Sequence, residues 1–472
     1  MRTLKKSAVK LLATASAVIA QFHRLPYASR VQNIIERVER LDENNVDECL
    51  KVTMKAFKQR HRNLETILAD NFNQVQKTGG NFSHYSDNRK LLLGAYLTKE
   101  YSFQAAALFN PSMVPHPSQS GVKEGEQRFI LSLRATGEGH ISSIIFRTGL
   151  VNSEGEVTLE PSSGYYSVLK KEEAAFFDKG FVAERVAPSE KEGVMNLLPD
   201  RFTAAEALSL RATEGKETQA SFAIAHVLDT NYDLEPMAQI PLDERLIFPS
   251  ARCESMGMED LRLVKFTDKG KSTYYGTYTA YDGRSIKSQL LETTDFEHFK
   301  IRTFFGAAIN DKGMALFPEK IGGRFAIASR QGSEVLSIMF SDNLHHWETY
   351  SLLLEPQFEW EFVQLGNCGS PVKTEQGWLL LTHGVGPMRK YVISAILLDL
   401  IDPTIILGRL EHPLLMADEQ EREGYVPNVV YTCGLMQHNN LLIIPYAVSD
   451  AATVFASVET AEVLAAMKPY RP

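Results

Sequence analysis

The sequence predicts an all-β protein, a five-bladed β-propeller with an N-terminal helical extension and a helical insertion. Five stretches each join a small or polar turn to an apolar strand, and they begin at Ala107, Gly257, Gly313, Gly366 and Gly424. A strand, a polar loop and a second strand follow each of these starts, which is typical of antiparallel β-structure. The last four starts lie 53 to 58 residues apart, a spacing close to the repeat length of propeller blades.

Residues 1–90 predict a helical extension. Between Arg30 and Val75 apolar residues recur at helical spacing, as at Val31, Ile34, Ile35 and Val38, and charged residues fill the other faces. Such an extension can pack on the main domain or join two copies of the chain into a homo-oligomer. Both alternatives stay open.

The first residues resemble an export signal, because Met1–Lys6 is basic and Ala8–Phe22 is apolar. Lys10 interrupts this run. The apolar core that remains, roughly ten residues, is too short to cross a bilayer. We therefore predict a cytoplasmic protein, with export as the alternative.

Residues 91–472 predict the propeller, which we expect to be the catalytic domain. Its first repeat is interrupted at about 170–217, where KKEEAAFFDKGF and FTAAEALSLRA look helical. We expect strands to resume at Phe222 with FAIAHVLD. An insertion beside a pocket often supplies a wall or an oligomer contact.

Composition narrows the function. With 44% hydrophobic residues in 472, the chain can bury a large core, and its net charge of −8 argues against a nucleic-acid binder. Four cysteines stand far apart without metal-ligand spacing, so we expect reduced thiols that pack in the core or line the site. The sequence indicates no metal and no cofactor, and we expect no membrane partner.

A propeller gathers the first strand of each blade around one channel, so the polar residues near these starts should face one another. At the starts these are Asn110, Glu259, Asp260, Arg262, Glu319, Lys320, Asn367 and Asn428. The loops that follow add Arg134, His140, Asp282, Arg330, His383, Tyr446 and Asp450. Carboxylates, amides and aromatic rings in one concave site favour an oligosaccharide ligand.

Several motifs in order also carry a family resemblance. FNPS, GMEDLRL, LFPEKI, HGVG, LLDLIDPTIILGR and PNVVY, between Phe109 and Val458, together resemble glycoside hydrolase family 130, the β-mannosidases and mannoside phosphorylases. The resemblance implies cleavage of β-mannosides with inversion, and it makes Asp260 the proton donor, acting through a sugar hydroxyl. It also implies that Arg134, Lys320 and the residues around Arg330 hold phosphate in the phosphorylases.

Two departures from that pattern favour hydrolysis. Ser329 stands where the phosphorylases generally have a histidine, and Pro445–Asp450 reads PYAVSD where they have a YYGAAD-like motif. Inverting hydrolysis needs a second carboxylate as base, about 6.5–9.5 Å from the acid. Glu319 and Glu361 are the candidates. We therefore predict a glycosidase that hydrolyses β-manno-oligosaccharides.

Two alternatives remain open. The first is a phosphorylase that uses inorganic phosphate as co-substrate and releases mannose 1-phosphate, which the presence of Arg134, Lys320 and Arg330 favours. The second is a sugar-binding propeller without catalytic activity. The retained Asp260 argues against the second alternative.

Overall fold

Strands form most of the regular structure, and helices gather in two parts of the chain. The computed structural model describes residues 4–77, 79–172, 176–213, 218–236 and 239–471. Within these ranges the strands form antiparallel units that follow one another along the chain. The fold is therefore mostly β, as predicted.

Residues 4–22 are not helical, which corrects the prediction for this part of residues 1–90. Strand β1 (Lys5–Leu12) pairs antiparallel with Ala452–Glu459 near the C-terminus, and β2 (Val18–Phe22) pairs with Thr98–Ser102. Exposed and partly buried side chains largely alternate along β1, and Leu11 is buried. Pairing with strands that lie far away in the sequence thus makes these residues extended, and the local sequence does not reveal such pairing.

The helices predicted for the extension are present. Asp42 and Ser86 cap two of them by accepting hydrogen bonds from the backbone N–H groups of Asn45 and Arg89. The elements are α1 (Ala28–Glu39), α2 (Glu43–Phe57), α3 (Leu64–Gln76), α4 (Asp87–Tyr96) and the strand β3 (Thr98–Ser102). Their apolar faces enclose a separate core that includes Val46, Phe72 and Leu93.

The first antiparallel unit follows, and the inserted segment comes after it. Unit 1 comprises β4 (Ala107–Pro115), β5 (Gln127–Thr136), β6 (Ser142–Val151) and β7 (Val157–Leu159). The inserted segment contains β8 (Ser167–Val168), β9 (Lys170–Glu172), β10 (Phe177–Asp178), α5 (Lys179–Glu184), α6 (Pro188–Leu197), β11 (Arg201–Phe202), α7 (Ala204–Thr213), α8 (Gln219–Thr230), β12 (Tyr232–Glu235) and β13 (Arg245–Ile247).

The strand expected at Phe222 is instead helix α8. Thr218 caps this helix, and its buried residues include Ala220, Ile224, Val227 and Leu228. That spacing of three to four residues is the helical period. The prediction was wrong because a short apolar run looks alike in a buried helix and a buried strand.

Four more units complete the chain. Unit 2 comprises β14 (Gly257–Asp268), β15 (Lys271–Tyr281), β16 (Ile286–Thr293) and β17 (Phe299–Thr303), and unit 3 comprises β18 (Ala315–Leu316), β19 (Phe325–Gln331), β20 (Val335–Ser341) and β21 (Ser351–Leu354). Unit 4 comprises β22 (Gln364–Asn367), β23 (Val372–Lys373), β24 (Trp378–Val385), β25 (Tyr391–Leu398), β26 (Ile406–Arg409) and β27 (Leu415–Met416). Unit 5 comprises β28 (Val430–Tyr431), β29 (Met436–His438), β30 (Leu441–Val448) and β31 (Ala452–Glu459), with β1 as its outer strand, and α9 (Thr460–Ala466) and β32 (Lys468–Pro469) follow.

Apolar side chains join each unit to the next, and unit 5 to unit 1. A pair of aromatic rings whose centroids lie within 6.5 Å marks each of these contacts. The pairs are Phe146–Phe299, Phe266–Phe325, Phe317–Trp378, Tyr391–Tyr431 and Phe129–Phe455. Such packing buries both faces of the strands, which explains the continuous apolar runs of β24 and β30.

None of the helices in the described ranges has the length and apolar character that a bilayer crossing requires.

Candidate active site

All five units contribute side chains to one polar cavity of about 170 Å³. Its walls carry five cationic side chains and two carboxylates, together with amides, a histidine and two tyrosines. The lining residues are Asn110, Arg134, Asp260, Arg262, Lys312, Gly313, Arg330, Gln364, Asn367, His383, Arg389, Tyr391, Val429, Tyr431 and Asp450. A polar and mostly cationic cavity of this kind suits a hydroxylated ligand together with an anion.

Backbone irregularities aim two of these side chains. The pairing of β4 with β5 shifts between Phe109 and Ser112, and the pairing of β14 with β15 shifts between Glu259 and Arg262. Asn110 and Asp260 lie at these bulges with left-handed backbone, φ 49° and 57°. Asn and Asp tolerate this conformation better than other non-glycine residues, and bulges often re-aim a side chain beside an active site.

Asp260 is the carboxylate at the centre of the cavity. Its Oδ1 accepts a hydrogen bond from Asn110 Nδ2 at 2.6 Å and one from Arg134 Nη1 at 3.3 Å. Burial would raise the pKa of Asp260, but the charges of Arg134, Arg262 and Lys312 lower it to about 2. In the unliganded site Asp260 is therefore ionised at neutral pH.

Arg134 is fixed on several sides. Its Nη2 donates to Glu259 Oε1 at 2.7 Å, its Nε donates to Ser142 Oγ at 2.8 Å, and its guanidinium lies 4.9 Å from the centre of the Phe109 ring. Glu259 therefore holds Arg134 in place beside Asp260. These contacts leave Arg134 little freedom to move when a ligand binds.

Arg262 joins three units beneath the cavity. Its Nη1 donates to the backbone carbonyl of Asp260 at 2.9 Å, and its Nη2 donates to the Tyr431 hydroxyl at 2.5 Å. The Asn367 side-chain oxygen accepts from Arg262 Nε at 3.3 Å, while its amide donates to the backbone of Gly313 and Ala328. Arg262 is almost fully buried, so we assign it to the support of Asp260.

Unit 3 and the loop before it supply two further cations. Lys312 and Gly313 both line the cavity. Gly313 has φ 78°, a left-handed conformation that suits glycine. Arg330 Nη2 lies 3.4 Å from Asp311 Oδ1, but Arg330 Nε is buried without a hydrogen-bond partner among the described residues. A buried donor without a partner costs about 1–3 kcal/mol, so an anionic ligand is favoured here.

His383 is neutral. Burial, helped by the charges of Arg330 and Arg262, lowers its pKa to about 3. Its Nδ1 lies 3.1 Å from the carbonyl oxygen of Asn367, an acceptor, so the proton is on Nδ1 and Nε2 accepts from the Gln364 amide at 3.2 Å. A Cβ at Gly366 would collide with the His383 ring, which explains the glycine at that position.

Asp450 is the second carboxylate of the cavity. It lies in the loop between β30 and β31 with φ 48°. Burial raises its pKa to about 6, and the negative charge of Asp260 adds to this effect, while Arg134 and Arg389 oppose it. The carboxyl groups of Asp260 and Asp450 therefore lose their protons in different pH ranges, near pH 2 and near pH 6.

Eight of the residues predicted to face one another line this cavity, and Glu259 contacts it through Arg134. The eight are Asn110, Arg134, Asp260, Arg262, Arg330, Asn367, His383 and Asp450.

The structure contradicts the roles predicted for Glu319, Glu361 and Lys320. Glu319 pairs with Lys373 at 2.5 Å near the surface, and Lys320 pairs with Asp268 at 3.0 Å. Glu361 is fully buried, and Arg409 Nη2 donates to both of its carboxylate oxygens at 2.9 Å. Each of these side chains is already paired with a side chain of opposite charge, and none of the three lines the cavity.

Four other predicted residues also lie outside the lining. Asp282 is partly buried and accepts hydrogen bonds from the backbone N–H groups of Arg284 and Ser285 in its own turn. His140 Nδ1 lies 2.7 Å from the Tyr425 hydroxyl, Asn428 accepts from Arg422, and Tyr446 donates to Glu421. Their positions in the repeat resemble those of the lining residues, but their side chains are engaged elsewhere.

Five polar lining residues were not predicted from the sequence: Lys312, Gln364, Arg389, Tyr391 and Tyr431. Lys312 immediately precedes the predicted unit start at Gly313, and Arg389 follows the glycines of the HGVG loop. These neighbours were the available signal. For Gln364, Tyr391 and Tyr431 no local signal distinguishes them from ordinary strand residues.

Comparison with known proteins connects this site to one family. A family profile described as beta-1,4-mannooligosaccharide phosphorylase matches residues 218–469. This range covers units 2 to 5 and contains Asp260, Arg330 and His383, whereas the Phe109 region lies outside it.

Two relatives in sequence are also mannoside phosphorylases. A 1,2-beta-oligomannan phosphorylase of Thermoanaerobacter sp. (strain X514) is 30% identical over 226 residues, which is 47% of this chain and 75% of that protein. A beta-1,2-mannobiose phosphorylase of Listeria innocua serovar 6a is 32% identical over 232 residues, 47% of this chain and 64% of that protein.

Among solved structures, the beta-1,2-mannobiose phosphorylase of Listeria innocua in complex with beta-1,2-mannobiose aligns with a TM-score of 0.48 and 22% identity, over 76% of this chain and 92% of that one. The profile match spans more than half of the chain. The family predicted from the sequence is thereby confirmed: this chain belongs to glycoside hydrolase family 130 and is a glycoside-active enzyme.

Proposed function

We propose that this enzyme is a β-mannoside phosphorylase, which uses inorganic phosphate to release mannose 1-phosphate. The observation that carries the proposal is the excess of positive charge in the cavity, where Arg134, Arg262, Lys312, Arg330 and Arg389 face Asp260 and Asp450. Arginine and lysine are the usual partners of phosphate oxygens. A neutral sugar and a water molecule alone would not need this charge.

Cleavage of the glycosidic bond needs an acid at the leaving oxygen and a nucleophile at the anomeric carbon. Asp260 gives a proton to the leaving oxygen while a phosphate oxygen attacks the anomeric carbon from the opposite face. The bond between that carbon and the leaving oxygen breaks, and its electron pair stays with the oxygen. A β-mannoside therefore yields α-mannose 1-phosphate with inversion, and phosphate replaces the water and base of hydrolysis.

Phosphate would also prepare Asp260 for this role. Three cations hold its pKa down to about 2 in the free site, which is too low for an acid at neutral pH. The negative charge of bound phosphate offsets these cations, and the sugar excludes water from the carboxyl group. Both effects raise the pKa of Asp260 toward the working range.

Hydrolysis with Glu319 or Glu361 as base finds no support in the ion pairs of these residues. One observation favours a hydrolase of another design, since Asp450 lies in the cavity with a pKa of about 6. At neutral pH it is ionised and could activate water. Hydrolysis through Asp450 is therefore the second candidate.

The substrate proposed is a β-1,2-linked mannoside. Support comes from two relatives at 30% and 32% identity, a 1,2-beta-oligomannan phosphorylase and a beta-1,2-mannobiose phosphorylase. The family profile carries a β-1,4 description, so the β-1,4-linked mannobiose is the natural comparison substrate.

The arrangement proposed for residues 91–472 is a five-bladed propeller, with residues before about 90 as an extension. Three observations support it: the units are sequential, every unit lines the same cavity, and β1 is the outer strand of unit 5. Phe129–Phe455 joins the last unit to the first. A ring of five units would place the cavity at the axis.

Product analysis tests the reaction. The purified protein is incubated with β-1,2- and β-1,4-mannobiose, with and without inorganic phosphate, and the products are separated and identified. We expect mannose 1-phosphate from β-1,2-mannobiose only when phosphate is present. Free mannose alone, at equal rates with and without phosphate, would overturn the phosphorylase and turn attention to Asp450→Asn.

A further inference from the structure

A second cavity, of about 450 Å³, lies between the inserted helices and units 2 and 3. The inserted segment contributes Arg185 and His226, strand β16 contributes Lys287, and the loop after β17 contributes Phe305, Asn310 and Asp311. Asp311 also contacts Arg330 of the active site. The two cavities are therefore neighbours that share one wall.

Arg185 has an unusual environment in this cavity. Only 7% of its side chain is exposed, and its guanidinium lies 3.7 Å from the Phe181 ring centre and 5.6 Å from that of Phe305. Its Nη1 donates to the Phe181 carbonyl at 3.0 Å, while its Nε is buried without a hydrogen-bond partner among the described residues. The guanidinium is thus held in place with a donor unused.

Little negative charge offsets Arg185. The carboxylate of Glu184 lies 3.8 Å away but is 62% exposed, so water screens it. Burial lowers the pKa of Arg185 to about 10 despite Glu184. Asp311 does not compensate either, because its carboxylate accepts from the Ser333 N–H at 2.6 Å and lies 3.4 Å from Arg330.

A second cation, Lys287, lines the same space together with Arg185. His226 also lines it, but burial and the charge of Lys287 lower its pKa. Nearby, burial and the charges of Arg185 and Arg302 lower the pKa of His345 to about 4. The effect on His345 indicates a positive potential in this region, which an anion would relieve.

We propose that this cavity binds a phosphate group, either as free phosphate or as the phosphate of a sugar phosphate, at a site separate from the active site. Arg185 would donate a guanidinium N–H to a phosphate oxygen, and Lys287 would add positive charge. The volume exceeds what one phosphate needs, and Phe304 and Phe305 offer apolar surface to an attached sugar. The proposal does not depend on phosphorolysis in the active site.

Calorimetric titration of the full chain tests it, with inorganic phosphate and mannose 6-phosphate as separate probes. Arg389→Ala, which removes one cation of the active-site cavity, is the background for both titrations. On this background we expect one site that Arg185→Met weakens about tenfold or more, as loss of a charged hydrogen bond should. Lys191→Ala removes a positive charge from an exposed position of the same insertion and should leave the affinity unchanged.

The two probes distinguish the ligands. Tighter binding of mannose 6-phosphate assigns the site to a sugar phosphate, and tighter binding of inorganic phosphate assigns it to the free ion. Lys287→Met, at an exposed position, is the second variant in case Arg185→Met does not fold, and it should weaken the same site several-fold. Binding of neither probe, or binding that both variants leave unchanged, would overturn the proposal, whatever reaction the active site performs.

Discussion

The amide of Asn110 donates a 2.6 Å hydrogen bond to the carboxylate of Asp260, and both residues have left-handed backbone at corresponding bulges of units 1 and 2. Asn110 Oδ1 is buried without a partner among the described residues, so it can accept from a ligand hydroxyl. The same local deformation thus serves twice, once to aim the acid and once to aim the amide that orients it.

Asp260→Asn should abolish turnover. The amide keeps the shape of the carboxyl group but cannot give a proton to the leaving oxygen, and general acid catalysis typically contributes about 10²–10⁴-fold. We expect kcat to fall within that range or below detection, with mannobiose affinity changed little. Steady-state kinetics and calorimetry measure the two quantities.

The control for that experiment is Asp282→Asn, which changes a carboxylate outside the cavity that orders its own turn. It should retain wild-type kcat. Turnover by Asp260→Asn at the wild-type rate would remove Asp260 from the mechanism.

Arg330→Ala should weaken phosphate binding, whereas Lys320→Ala should not. Arg330 lines the cavity with a buried Nε that has no hydrogen-bond partner in the described part of the chain, while Lys320 pairs with Asp268 away from it. Loss of one charged contact predicts a rise in the KM for phosphate of about tenfold or more. Phosphate-dependent initial rates for both variants check this, and the reverse order of effects would restore the sequence-based role of Lys320.

Glu361→Gln should destabilise the fold without acting on the chemistry. Glu361 and Arg409 form a fully buried pair with two hydrogen bonds, and Glu361 also accepts from the backbone N–H groups of Gln357 and Phe358. Removing one charge from such a pair costs about 3–5 kcal/mol. We expect denaturant unfolding to show this loss.

A matched double variant, Glu361→Gln with Arg409→Met, should recover part of that stability, because no buried charge remains unpaired. The kcat per folded molecule should stay within about twofold of wild type for both variants, since neither residue lines the cavity. A thousandfold loss of kcat in a folded Glu361→Gln protein would return this residue to the role of base.

Asp450→Asn should change the pH dependence of stability. In the folded protein the pKa of Asp450 is raised from 3.8 to about 6, so between these values the folded state binds more protons than the unfolded state. The unfolding free energy therefore decreases as pH rises through this window, and the loss is complete above about pH 6.

The asparagine variant avoids that loss. The unfolding free energy of the variant minus that of the wild type should be about 1–3 kcal/mol larger at pH 8 than at pH 4. Urea unfolding of both proteins at both pH values measures this difference. Equal differences at pH 4 and pH 8 for Asp450→Asn would contradict the raised pKa.

Local pattern was enough to predict the β class, the helices between residues 28 and 76, and the start of each unit. It also identified Asp260 and Arg262, because an acid and an arginine at the beginning of a strand stand out beside apolar neighbours. The family followed from several such motifs in order. These features depend on residues close together in the chain, and their physical cause is the period of burial along a strand or a helix.

Features that join distant residues were decided by the tertiary structure. In sequence Glu319, Lys320 and Glu361 are charged residues suited to an active site, but in the folded protein Lys373, Asp268 and Arg409 pair with them. In the same way, the last unit makes β1 a strand, and unit packing brings Lys312, Arg389 and Tyr431 together. Ion pairing and backbone pairing act over a few ångströms in space whatever the separation in sequence, so only the folded chain determines which polar groups remain free to bind a substrate.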